Sequence, residues 1–215
     1  SERTDHDVVI GWQEAATRRL IGLIHRERRE GEAVTVLIAK DLEQNPAPDK
    51  VDYVRVDRLA DPYGLERAGA VNARSIIVRG ASDDETLAAA LVASATCKSA
   101  HVVAYFDFES TADILRLQNS RIESVTSLSS ELMVRAARDP GTSVVANLLL
   151  SAGKEDTAFS VRVPEGTATI PYDVALHLMR RRHAVTLVGM NRHGNVDLNC
   201  EETVEIQSGD VLYYI

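Results

Sequence analysis

Short apolar runs alternate with longer amphipathic stretches from Asp7 to Val125. Asp7–Ile10 is a short apolar run that meets Gly11, and a helix is expected at once, over residues 13–30. Within it Ala16, Leu20, Leu23 and Ile24 recur at helical spacing, and Gly31 is expected to end it. Residues 34–39 form a near-continuous apolar run, the pattern of a parallel strand buried on both faces. A polar loop with Pro46 and Pro48 leads to a strand over 53–56. Asp61-Pro62 then supplies an N-cap and a first-turn proline for a short helix. Strands are expected over 75–78, 102–105 and 122–125, with helices over 83–97 and 110–118 between them. Ser82-Asp83-Asp84-Glu85 reads as a capping box opening the first of these helices. Six strands joined by helices through short links predict a doubly wound parallel sheet of the α/β class.

The pattern changes after Ser127. Two helices are expected in tandem, over 128–138 and 142–152, separated by Asp139-Pro140-Gly141, a candidate hinge and packing arm. Beyond Thr157, strands are expected over 159–163, 184–190, 202–206 and 211–215, with a helix over 173–181. Pro164-Glu165-Gly166, His193-Gly194-Asn195 and Ser208-Gly209-Asp210 supply turns. This is a small α+β domain.

Composition sharpens this only slightly. The chain has 215 residues and 45% apolar content, enough for a proper core. Its 24 basic and 32 acidic side chains leave a formal charge of −8, which argues against nucleic acid and anionic membrane as partners. Cys97 and Cys200 stand far apart in no metal-ligand spacing, and the six histidines show no H-x-x-x-H pattern. The apolar stretch Val144–Leu150 is too short to span a bilayer. There is no Gly-x-Ser-x-Gly elbow and no Walker loop.

The strand–glycine–helix start is that of a dinucleotide-binding domain, but the fingerprint is broken. Gly11 is present, Gln13 occupies the second glycine position and Ala16 the third. A side chain then fills space that a pyrophosphate needs, and Gln13 and Glu14 become candidates for direct ligand contact. The alternative is an empty cleft on a retained frame. The acid expected after the second strand is missing at Ala39. Asp41 lies just beyond and either reaches a ribose or is a solvated loop residue, while Lys40 faces a phosphate or solvent. Asp57 follows the third strand, and Arg79 and Gly80 end the fourth, beside the topological switch point. Asp107 follows the fifth, with Glu109 and Asp113 near it. Arg180-Arg181-Arg182, flanked by His177 and His183, is read most simply as a solvated helix end favoured by the dipole.

Several segments together resemble the regulator of potassium conductance (RCK) domain, across essentially the whole chain. They are Val8-Val9-Ile10-Gly11-Trp12, Leu65–Ala70 followed by Ala73–Val78, Asp83-Asp84-Glu85-Thr86, Val163–Gly166 and Gly209–Leu212. The resemblance implies a Rossmann-like lobe over 1–126, crossover helices over 127–153 that pair two subunits, and a C-terminal lobe over 154–215. It implies a dimer assembling into an octameric ring, bound to a membrane pore domain or subunit at the cytoplasmic face. The implied function is that of a ligand-sensing gating-ring domain of a potassium channel, and not an enzyme. A nucleotide-binding regulatory subunit of a potassium-uptake transporter is the alternative.

The implied ligand cleft holds Gly11, Gln13, Glu14, Asp41, Asp57, Arg79, Gly80 and Asp107. An adenine nucleotide or NAD is one ligand class, and calcium or another cation the second. Calcium-gated relatives carry acids at the places of Arg79 and Tyr105, so the cation reading is weakened here. An NAD-dependent oxidoreductase would need an intact glycine loop and a substrate domain with an acid or base over the nicotinamide, and the sequence offers neither. A dimerisation module with no ligand differs only in whether the cleft is filled.

Overall fold

The computed structural model describes residues 3–151 and 157–215. It divides into two compact units, Ser1–Ser130 and Glu131–Ile215. The first holds a six-stranded parallel sheet in the order β3-β2-β1-β4-β5-β6, formed by β1 (Asp7–Ile10), β2 (Thr35–Ala39), β3 (Val51–Arg55), β4 (Ser75–Val78), β5 (His101–Tyr105) and β6 (Ile122–Val125). The order reverses between β1 and β4, so the chain leaves these neighbours in opposite directions and opens a crevice at their carboxyl ends. The doubly wound α/β fold expected from the pattern is therefore present.

Alternate residues of the central strands feed two cores. Val8, Ile10, Val36, Ile38, Ile76 and Val78 pack on one face with α3 (Asp83–Thr96) and α4 (Glu109–Gln118), and α2 (Pro62–Arg67) adds Leu65. Val9, Leu37 and Ala39 face the other way, against Ile21 of α1 (Glu14–Glu27). Ala89, Ala90 and Ala93 of α3 are buried, and their small side chains let helix and sheet approach closely. Asp61 caps α2, its carboxylate accepting the Tyr63 amide, as expected from Asp61-Pro62.

Three local readings need correction. Helix α1 stops at Glu27, and Gly31 serves the following turn with φ +86°, not the helix end. The Ser82 capping box is only half made: Ser82 Oγ accepts the Glu85 amide, but the Glu85 carboxylate accepts from Ala81 N, not from Ser82 N. In the second unit, the strand expected over 202–206 is reduced to β11 (Glu205–Ile206), because 201–204 form a turn that sets Val204 against the local core.

That unit begins within α5 (Ser129–Arg138), which is followed by Gly141 at φ +94° and α6 (Thr142–Leu150). The end expected for the second helix, Ala152, lies outside the described residues. Neither helix buries a residue, and Met133, Val134, Val144, Val145 and Leu150 are exposed. An antiparallel sheet follows in the order β10-β9-β12-β7, from β7 (Phe159–Arg162), β9 (Leu187–Arg192), β10 (Asn195–Leu198) and β12 (Val211–Tyr214). A two-stranded pair joins β8 (Ile170–Pro171) to β11, and α7 (Tyr172–His183) contributes Tyr172 and Ala175 to the core. Arg192 holds the turn before β12 through two hydrogen bonds to buried Asp210, at 2.9 and 2.7 Å.

Candidate functional site: the carboxyl rim of the parallel sheet

Gly11 sets the geometry of the crevice. Its φ of +103° suits glycine, and a Cβ there would stand 1.9 Å from the Arg79 carbonyl oxygen. The ends of β1 and β4 can touch only because that side chain is missing. Two backbone bonds tie the exits together: Gly11 N donates to Ile38 O, and Arg79 N to Ile10 O, each at 2.9 Å.

Three amides of the two rim loops are satisfied from within. Gln13 N donates to Thr17 Oγ1 at 2.7 Å, and the Gln13 side chain folds back to donate to the Trp12 carbonyl. At the second loop, Gly80 N donates to Thr86 Oγ1 at 2.9 Å, and Ala81 N to Glu85 Oε2 at 2.7 Å. Thr17 and Thr86 are both buried, so one threonine in the early turns of each helix closes its own loop. Glu14 accepts from Trp12 Nε1 and from Arg18, whose guanidinium also lies 5.2 Å from the Trp12 ring centre. Arg18 and Trp12 together hold the Glu14 carboxyl below its ordinary range.

A cavity of about 230 Å³ opens here, lined by Trp12, Gln13, Lys40, Asp41, Leu42, Leu59, Ala81 and Glu85. Lys40 Nζ meets Glu85 Oε1 at 2.5 Å across it. Burial pushes the Glu85 carboxyl up, but Lys40 and the Ala81 amide overcome this and hold it below its usual value. The same contact raises the Lys40 ammonium. Gln13 and Asp41 thus line the cavity, Asp41 exposed and with φ +60°. Gly11 and Gly80 do not line it: Gly11 packs against the Arg79 carbonyl and Gly80 lies under the Glu85 side chain, while Glu14 faces Trp12 and Arg18. Lys40, weighed between phosphate and solvent, is a wall of the cavity, and Glu85, read only as a cap, is its second charged wall. The signal for this pairing is a lysine ending one strand and an acid in the first helical turn after another.

The remaining candidates stand outside that lining. The Arg79 guanidinium lies 3.9 Å over the ring of Tyr105, a cation–π stack joining the ends of β4 and β5. Asp57 is exposed beyond β3. Asp107 is exposed, and its amide and that of Phe108 donate to the Asp83 carboxylate at 2.8 and 3.1 Å. Glu109 and Asp113 both bond to Arg116, at 2.6 and 2.8 Å, so two of the three acids considered as a patch with Asp107 share one guanidinium. Among the described residues, no group of three or more His, Cys, Asp or Glu side chains could hold a metal ion, and no helix is long and apolar enough to cross a membrane.

No family model and no curated protein matches the chain. Solved structures do. The human SLO3 gating ring is 10% identical, covers 98% of this chain over 44% of its own length, and superposes with a TM-score of 0.68. The GsuK RCK domain is 15% identical, over 98% of this chain and 43% of that one, with a TM-score of 0.48. The GsuK channel bound to NAD is 14% identical, over 100% and 36%, with a TM-score of 0.49. The chain spans less than half the length of these solved chains. On the SLO3 superposition, the chain has the fold of the RCK gating-ring domains.

Proposed function

We propose that the chain is a ligand-sensing regulatory domain of a potassium channel, one repeat of a gating ring at the cytoplasmic face of a membrane. The observation that carries the reading is the fold shared with the human SLO3 gating ring over 98% of the chain. The domains are a cleft-bearing lobe over 1–126, a pairing segment over 127–153 and a small lobe over 154–215. The apolar side chains that α5 and α6 leave exposed support the pairing role, since their burial would be a source of association energy. In this reading copies pair through these helices, build a ring, and pass a change in the cleft to a membrane pore partner. Gly11, Gln13, Glu14, Asp41, Asp57, Arg79, Gly80 and Asp107 border the ligand cleft, and the ligand is an adenine nucleotide or NAD sooner than calcium. No catalytic role is assigned, because the cleft offers internally bonded amides and ion pairs in place of a nucleophile with its base.

Light scattering of the purified chain tests this. The expected result is a dimer or larger species that Met133→Glu with Val145→Glu converts to monomer. A wild-type chain that stays monomeric at all concentrations, with and without nucleotides and calcium, would contradict the reading.

A further inference from the structure

The carboxyl-rim cavity already holds an anion, and it belongs to the protein. Glu85 reaches back from the first turn of α3, so that one oxygen accepts from the Ala81 amide at 2.7 Å and the other meets Lys40 Nζ at 2.5 Å. Its path crosses Gly80, where a Cβ would lie 2.8 Å from Glu85 Oε2 and 3.0 Å from its Cγ. A larger residue at that position would push the carboxylate off its two partners. An ammonium and a backbone N–H converging on one carboxylate is also a donor set for a phosphate oxygen. The other internal caps differ: Thr17 and Thr86 are buried and carry no charge to compete with. Glu85 is 20% exposed and Lys40 34%, so both can turn toward water without opening the core.

We propose that Glu85 is a tethered anion occupying a phosphate subsite, and that the ligand displacing it is a compact phosphate-bearing molecule held by Lys40 and the Ala81 amide. This rests on reading the rim as a ligand cleft. The cavity of about 230 Å³ is smaller than the roughly 300–1,000 Å³ common for small-molecule sites, so it suits one phosphate group with a small remainder, and the rest of a larger nucleotide would lie outside it. Asp41, the other charged lining residue besides this pair, repels a ligand that carries excess negative charge beyond that group.

Trp12, the chain's only tryptophan, lines the cavity, so its fluorescence reports occupancy. Inorganic pyrophosphate and AMP are titrated, at fixed ionic strength, into wild type, Glu85→Gln, Glu85→Ala and the double variant Lys40→Met/Glu85→Gln. Circular dichroism checks that each is folded. The expected result is binding at least about tenfold tighter in both single variants than in wild type, and loss of that gain in the double variant. Equal or weaker binding in the single variants overturns the proposal. Failure of the cleft reading looks different: neither phosphate compound, nor NAD, ATP or calcium, would perturb Trp12 in wild type or any variant.

Discussion

The two rims of the parallel sheet carry similar chemistry and put it to different uses. At the amino rim Arg74 forms a two-pronged pair with Asp7, at 3.0 and 2.8 Å, and reaches Glu32 at 3.1 Å. Ser75 adds a hydrogen bond to Asp7 at 2.6 Å, and Asp7 is buried. At the carboxyl rim Lys40 and Glu85 meet through single atoms and are both partly exposed. The amino rim borders a larger cavity, about 590 Å³ against about 230 Å³. Cavity size alone favours the amino rim, but Arg74, Asp7 and Glu32 are tied there in a multi-bonded network that fastens β1 to β4, while Lys40 and Glu85 share a single contact. Arg74 and Glu32, at 35% and 22% exposed, have as much access to water as Lys40 and Glu85 at 34% and 20%, so the two rims differ in the number of bonds and in the buried Asp7.

The sharpest way to break the comparison is Gly11→Ala. It forces a side chain onto the Arg79 carbonyl at positive φ, and should cost at least about 3 kcal/mol in urea unfolding, or prevent folding. Asp7→Asn comes next, at about 2 kcal/mol, below the full cost of breaking a buried pair because Arg74 reaches solvent. Burial raises the Asp7 carboxyl, but hydrogen bonds from Arg74 and Ser75 with the Arg74 charge outweigh it, so the folded value lies below 3.8. The Asp7 contribution to stability is therefore complete above 3.8 and is lost as pH falls through the lower folded value. Asp7→Asn should remove that part of the acid slope, read from thermal melts across the acid range. Thr86→Val leaves the Gly80 amide without its acceptor and should cost about 1 kcal/mol in the same urea assay. Lys40→Met leaves the partly buried Glu85 without its ammonium and should cost less than Thr86→Val, the smallest stability effect of the series, while altering ligand response.

The parallel sheet was legible because β1 and β2 are buried on both faces and read as apolar runs, and β4 carries a run of three apolar residues although Ser75 and Ile77 are only half-buried. The strand β10 was not, since all four of its residues are exposed and Asn195 and Asp197 carry no strand signal; pairing with β9 makes it a strand. β8 was missed because a two-residue strand ending in proline has no periodicity. In the cleft, Gly11 and the displaced second glycine were readable from strand–glycine–helix order. The role of Glu85 was not, because helix-capping chemistry explains an acid there equally well, and its partner Lys40 arrives from a distant strand. Arg79 was readable as a departure from an acid, yet its stack on Tyr105 depends on the neighbouring order of β4 and β5.

If the carboxyl rim is a ligand cleft, a bound ligand stabilises the fold. Thermal melting of the chain with AMP, ATP, NAD, pyrophosphate, calcium and sodium tests it most directly. A ligand at about a hundredfold over its Kd stabilises by roughly 2.7 kcal/mol. Such a rise is expected with at least one phosphate-bearing compound, with an unchanged Asp7→Asn response once its lower baseline is subtracted and an altered response in Lys40→Met. A melting curve that none of these compounds moves, or a shift that Lys40→Met leaves intact and Asp7→Asn abolishes, would contradict it.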